Sequence, residues 1–374
     1  MGISDCVPYR GLPLFGVDAN RRAPVLAAGS PHLLRPMLTT THAPSATGRL
    51  LPRVLEHDRA VALRAVARFH APCPTRLLLA TDGSPAADSA VRTARALARR
   101  NGASVEIAAI YAPRIPLPAS AELRGVERWA PSDRREVAEL LRKVRRQLAT
   151  LLTEASQLRE WQLHLEIGDP GPTIVRMASE ASTDLIVLGI GVHEPMDRPR
   201  GGHTAICVAR YATVPLYAAA SGCEVPVRCV VALADGRLHA PTIRAALAAL
   251  LPGSHMWLAM PARTDDNLGT DTDDDMAIDG SESARGLVAR VCGPDWAAQV
   301  DAIAVERVNL SGDPLTAVLR LADDVDAQLI AIPNHGDPGP VRAFLPNLAD
   351  PLLLGSRCSV LVVPDHAAGS SLVE

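Results

Sequence analysis

The sequence predicts an α/β protein: two tandem domains, each a doubly wound parallel sheet, behind an N-terminal leader. Three observations carry that expectation. From Arg76 onward, short continuous apolar runs alternate with stretches of helical period, the pattern of strands buried on both faces beneath crossover helices. The same elements recur at a fixed offset in the second half of the chain. And a chain of 374 residues, 48% hydrophobic but only 3% aromatic, has room for about two to three domains, packed by aliphatic side chains.

Residues 1–72 carry Pro, Gly and Thr clusters such as Thr39-Thr40-Thr41-His42-Ala43-Pro44 without a sustained period, and read as a largely disordered leader. Behind Pro52, the stretch from Val54-Leu55 to Ala67 and Phe69 spaces its apolar residues for a short amphipathic helix, and Met37 offers a second start. Leu77-Leu78-Leu79-Ala80 is the first strand, and the turn Thr81-Asp82-Gly83-Ser84-Pro85 follows it. Ala87, Ala90, Val91, Ala94, Leu97 and Ala98 recur at helical spacing, and Val105 to Tyr111 is the next strand. A long helix carries Val137, Leu140, Leu141, Val144, Leu148, Leu151, Leu152 and Ala155 on one face and its arginines on a solvated one. Next come a strand from Leu163 to Ile167, a helix opening after Pro170-Gly171-Pro172, and a strand from Leu185 to Leu188. A glycine-bearing loop, a helix near 202–212 and a strand from Val214 to Tyr217 complete the unit.

The repeat makes this unit a domain. Gly168-Asp169-Pro170 is matched by Gly312-Asp313-Pro314, and the same offset of 144 pairs Asp184-Leu185-Ile186-Val187 with Gln328-Leu329-Ile330-Ala331 without a gap. Upstream, Thr81-Asp82-Gly83-Ser84 pairs with Ala234-Asp235-Gly236-Arg237 at an offset of 153, so the second copy is shorter across its middle, where an acidic loop through 265–282 stands in for a helix. The predicted domains are 73–222 and 226–366.

Several chemistries are excluded or unsupported. Lys143, in Arg142-Lys143-Val144-Arg145-Arg146, is the single lysine among 38 basic residues, which leaves no P-loop lysine and no Schiff-base nucleophile in a suitable setting. A net charge of −3 lacks the basic excess of a nucleic-acid binder or a polybasic membrane anchor. The seven cysteines are scattered without a Cys-x-x-Cys pair, and the eleven histidines form no HExxH, so no metal is expected. No apolar run is long enough to span a membrane, and Asp5 and Pro8 interrupt the start of the chain where a secretory segment would be apolar. The expected compartment is the cytoplasm.

In an open parallel sheet, ligands bind beyond the carboxyl ends of the strands where strand order reverses. Asp82 stands at such an end, able to accept hydrogen bonds from a nucleoside. The loop from Gly189-Ile190-Gly191-Val192 through Arg200-Gly201-Gly202-His203-Thr204 leads into a helix whose N–H groups suit phosphates.

These residues resemble the universal stress proteins, a Rossmann-like branch of the adenine-nucleotide-binding α/β folds. The likeness rests on Leu79-Ala80-Thr81-Asp82-Gly83-Ser84, on Asp184-Leu185-Ile186-Val187-Leu188-Gly189, and on the spacing between them. It extends from 76 to 364 as two copies. The resemblance implies ATP held by Asp82 with its neighbours Thr81 and Gly83, by a residue near Ile110 ending the second strand, and by a loop of Gly, two residues, Gly, nine residues, Gly, then Ser or Thr. In the first copy that frame falls on Gly189, Val192, Gly202 and His203, so two positions depart, with Gly191 and Thr204 one residue away as substitutes. A Cβ at Val192 stands where backbone must approach phosphate. In the second copy the frame falls on Pro333, Gly336, Pro346 and Asn347, with Asp235 kept, and Pro333 lacks an N–H, so this copy is expected not to hold a triphosphate.

The bland readings stand beside these. Asp82 and the loop glycines also suit a plain strand-end turn. Ser84-Pro85-Ala86-Ala87-Asp88-Ser89 has the outline of an ATP-pyrophosphatase loop without its glycines. Asp271, Asp273, Asp275, Asp279 and Glu282 fit a calcium-loop frame except that Met276 stands where glycine is needed, which favours a solvated acidic loop. His193, His203, Arg198 and Arg200 lie near the phosphate loop and equally suit solvent.

The sequence thus predicts a stress-response protein that binds an adenine nucleotide, ATP, in its first domain and has no dedicated catalytic residue. The resemblance also implies that the last strands, Val214 to Tyr217 and Val360 to Val363, pair inside one chain and cover each other's edge, making the two domains an intramolecular pseudo-dimer that is open to further homodimerisation. The alternative is a regulatory scaffold with both sites degenerate, and a slow ATP hydrolase is a third reading without a recognisable base, arginine finger or metal carboxylate.

Overall fold

Why the first strand sits at the middle of its half of the sheet follows from its composition: Leu77 and Leu79 point to one face and Leu78 and Ala80 to the other, and all four are buried. The computed structural model describes residues 73–113, 131–152, 160–191, 201–222, 228–232, 239–261, 282–334 and 348–364. The expected leader with its amphipathic stretch, Ala155, Val192 and the acidic segment 265–281 lie outside them.

In the first half, β1 (Arg76–Ala80) leads through a 3₁₀ turn (Pro85–Ala87) into α1 (Asp88–Asn101), which ends at Gly102 in the left-handed region, φ 62°. There follow β2 (Ser104–Tyr111), α2 (Pro131–Leu151), β3 (Gln162–Ile167), α3 (Pro170–Glu180), β4 (Leu185–Ile190), α4 (Gly201–Tyr211) and β5 (Leu216–Ala220). The second half repeats the order with β6 (Arg228–Ala232), α5 (Ala240–Ala249), β7 (His255–Pro261), α6 (Ala284–Cys292), a 3₁₀ turn (Pro294–Trp296) and α7 (Ala297–Asp301). It continues through β8 (Ala304–Leu310), α8 (Pro314–Asp324), β9 (Leu329–Asn334), α9 (Ala349–Gly355) and β10 (Ser359–Pro364).

The offset of 144 carries α3 onto α8 and β4 onto β9 residue for residue. In the first strand Leu77 faces Leu185 as Cys229 faces Leu329, an offset of 152, so the extra residue of the loop offset lies beyond the strand end.

Among the described residues, ten strands join one sheet in the order β3-β2-β1-β4-β5-β10-β9-β6-β7-β8. Every pair is parallel except the central one, where β10 runs antiparallel to β5 with Val360 facing Ala218, Leu361 facing Tyr217 and Val362 facing Leu216. The two half-sheets thereby cover each other's edge. One apolar layer lies between the sheet and α1, α2, α5 and α6, and the other between the sheet and α3, α4, α8 and α9.

Two expectations are corrected. The fifth strand begins at Leu216, not Val214: Pro215 has no N–H to place in a ladder and contributes its carbonyl oxygen to Ile186 N instead, at 3.0 Å. It runs on through Ala218–Ala220 because those alanines are buried between β4 and β10. In the second half, the place of the 21-residue α2 is taken by the short α6 and α7 joined by a 3₁₀ turn. Ser283 caps α6, its hydroxyl accepting from Gly286 N.

Candidate functional site

The chain steps outward from β1 to β2 and β3, then returns to place β4 on the other side of β1. Strand order therefore reverses between β1 and β4, and the crevice beyond their carboxyl ends is the topological switch point of this half. Thr81, Asp82 and Gly83 leave β1 at that crevice. Gly189, the penultimate residue of β4, and Gly191, just beyond it, stand on the facing side, since Ala80 and Leu188 are paired.

Helix α2 holds the β1 side in place. Thr81 is buried, its hydroxyl donating to Gln147 Oε1 at 2.6 Å and accepting from Gly83 N at 3.1 Å. Gln147 Nε2 in turn donates to the Ser84 carbonyl at 2.8 Å and to Asp88 Oδ1 at 2.7 Å. Gly83 has φ +74°, and a Cβ there would lie 2.6 Å from the Lys143 carbonyl carbon and from Val144 N, so the loop packs directly on the α2 backbone. Within this frame Asp82 is exposed, and its Oδ1 accepts from Ser84 N at 2.9 Å in an Asx turn that presents the carboxylate at the strand end.

On the β4 side, glycine is required for packing. A Cβ on Gly189 would lie 2.5 Å from the Ala86 carbonyl oxygen and 2.7 Å from Ala87 Cα, so the end of β4 rests on the 3₁₀ turn that follows the β1 loop. Gly202, His203 and Thr204 stand in the first turn of α4, whose leading N–H groups have no helical acceptor; His203 is exposed and Thr204 half-buried. Ile110 is half-buried at the end of β2.

Sequence reasoning missed three residues here. Gln147 and Lys143 reach the β1 loop only because α2 docks on it, which no local pattern announces. Lys143, the single lysine, is exposed but its backbone abuts Gly83. Tyr111, buried at the end of β2, directs its hydroxyl at Asp133 Oδ1, 2.9 Å away, and Glu136 Oε2, 3.0 Å away, both in the opening turns of α2. Burial first, and then these two carboxylates, push its ionisation well above the ordinary phenol range, so it stays a neutral donor.

In the second half Pro333 occupies the penultimate position of β9, the counterpart of Gly189, and faces Val363 of β10. Asp235, Gly336, Pro346 and Asn347 lie outside the described residues. Among the described residues no three His, Cys, Asp or Glu side chains are grouped to hold a metal ion, and no helix is long and apolar enough to cross a membrane.

The model of the universal stress protein family matches residues 74–219 and 265–364. Among solved structures, the chain is similar to a universal stress protein from Archaeoglobus fulgidus DSM 4304, with 15% identity over 78% of this chain and 98% of that one and a TM-score of 0.50. It is also similar to a putative universal stress protein from Pseudomonas aeruginosa UCBPP-PA14, with 16% identity over 80% of this chain and 95% of that one and a TM-score of 0.47. No curated protein matches it.

Proposed function

The chain belongs to the universal stress protein family, and from that premise we propose that its first domain, residues 73–222, binds an adenine nucleotide, ATP foremost, without dedicated catalysis. The observation that carries this reading is the switch point: an exposed carboxylate, Asp82, and two glycines, Gly189 and Gly191, face each other across the β1 and β4 ends. Asp82 accepts from the ribose hydroxyls or base, Ile110 supplies an apolar wall, and the backbone N–H groups beyond Gly191 and at Gly202, His203 and Thr204 receive the phosphates. Val192 stands in the sequence where the family's frame has glycine, and a β-branched residue there disfavours close backbone approach to phosphate, so the affinity is modest.

The second domain, residues 226–366, serves as the structural partner within one chain. Pro333 supports this, because it removes an N–H where Gly189 keeps one. The protein acts in the cytoplasm, where ATP is supplied.

Isothermal titration with ATP, run beside Asp82→Ala, tests the proposal. Saturable heat that the variant loses is the expected result. Absence of heat and of copurified nucleotide would instead establish the scaffold reading, in which both sites are degenerate. Phosphate release above a blank, lost in the same variant, would make the protein a slow hydrolase.

A further inference from the structure

An open pocket lies between the two halves on the face opposite α4 and α9. Tyr217 and Leu361 of the central strand pair form its floor, and Leu97 of α1 and Ala248 of α5 its sides. Its lining includes Asp184 and Pro215 at the amino ends of β4 and β5, so it is separate from the crevice at the carboxyl ends that holds Asp82.

Two charged residues line it, and they are not equivalent. Asp184 Oδ2 accepts from Thr75 N, the Thr75 hydroxyl and Arg76 N at 3.0, 2.8 and 3.0 Å, and the Arg76 guanidinium lies 3.7 Å from Oδ1, so its charge is compensated on its own side. Arg244 is fixed at one end only: Nη2 donates to the carbonyl oxygens of Cys292 and Val291 at 2.9 and 3.4 Å. Its Nε is screened from solvent and has no hydrogen-bond partner among the described residues. A buried guanidinium donor left unmet costs free energy, and native proteins rarely keep one without an acceptor that arrives from elsewhere. A cavity with apolar walls and one unspent cationic donor is the chemistry that holds an amphipathic anion.

We propose that this inter-domain cavity binds a small amphipathic carboxylate, its ring or short aliphatic chain over Tyr217 and Leu361 and its carboxylate on Arg244. Such a ligand touches both halves at once and stabilises their pairing across β5 and β10.

The test uses the full chain, with benzoate and hexanoate as probes at fixed ionic strength and benzyl alcohol and hexanol as their neutral counterparts. Trp296 lines the cavity and reports by its emission, with Trp296→Phe assigning the signal. The acids should bind saturably and the alcohols at least about tenfold more weakly, as expected for loss of a charge-assisted hydrogen bond. Arg244→Leu should weaken the acids by a similar factor. Ala245→Leu, which keeps Arg244 but fills the cavity, should abolish binding of acids and alcohols alike, and guards against misfolding of the arginine variant. Absence of a saturable emission change in the wild type, equal affinity for acids and alcohols, or wild-type affinity in Ala245→Leu overturns the proposal.

Discussion

The hydroxyl of Thr81 donates to Oε1 of Gln147 across 2.6 Å, joining the end of the first strand to a helix 66 residues further along the chain. Gln147 is buried and also binds Ser84 and Asp88, so one amide sets the position of the whole β1 loop. Gln147→Ala leaves Thr81 with a buried donor unmet and should lower unfolding free energy by about 1–3 kcal/mol. Urea denaturation checks this, and an unchanged midpoint would mean that α2 does not hold the loop.

Gly189→Ala places a methyl 2.5 Å from the Ala86 carbonyl oxygen. Backbone must move on one side or the other, which should cost about 1–3 kcal/mol. Gly355→Ala, where a Cβ meets nothing within 4 Å, is the matched control and should be close to neutral. Equal midpoints for the two variants would contradict the close approach of β4 to the 3₁₀ turn.

Asp313 caps α8, with Oδ2 accepting from Thr316 N at 2.9 Å and from the Thr316 hydroxyl at 2.7 Å. The bond from the Thr316 hydroxyl, then that from its N–H, hold the carboxyl below its ordinary value of 3.8. A depressed folded-state value means that the stabilisation is present above the ordinary value and is lost as pH falls below it. Asp313→Ala should therefore be less stable than wild type near neutrality, with the gap closing below about pH 4. Asp169 occupies the same position on α3 but makes no side-chain cap bond, so Asp169→Ala should cost less stability near neutrality than Asp313→Ala.

Burial pushes the Cys229 thiol far above the ordinary range and the Cys292 thiol up to about 11. Cys73 and Cys207 are partly exposed and raised less. The thiolate is the reactive form, so alkylation of the native protein near pH 8, mapped by peptide mass spectrometry, should label Cys73 and Cys207 well before Cys229 and Cys292. Labelling should accelerate as pH rises. Simultaneous labelling of all four would show that the core opens as a unit.

Lys143 abuts the β1 loop through its backbone and is exposed. If the first domain holds a triphosphate, Lys143→Ala should weaken ATP by roughly three- to fivefold at low salt, and less as ionic strength screens the charge. Titrations at two salt concentrations decide this, and an unchanged affinity at both returns Lys143 to the solvated helix face.

The strands most legible in the sequence were those buried on both faces. Leu77-Leu78-Leu79-Ala80 and Leu185 to Leu188 are continuous apolar runs because no side chain on a central parallel strand meets water. β5 was harder to delimit, since alanine is a weak strand former and Ala218–Ala220 become a strand by lying between β4 and β10. Helix α6 went unseen beside the acidic stretch, although Leu287, Val288 and Val291 show its buried face.

By itself the sequence determined the alternation of strands and helices, the tandem repeat, and the strand end on which Asp82 stands, because periodicity and spacing are local properties of a chain. Only the tertiary structure decided the antiparallel register in which β10 closes on β5, that Gln147 and Lys143 come to the β1 loop, and that Arg244 has a donor unmet among the described residues beside an inter-domain cavity. Each of those depends on residues dozens to more than a hundred positions apart meeting through packed helices and paired strands, which no local pattern records.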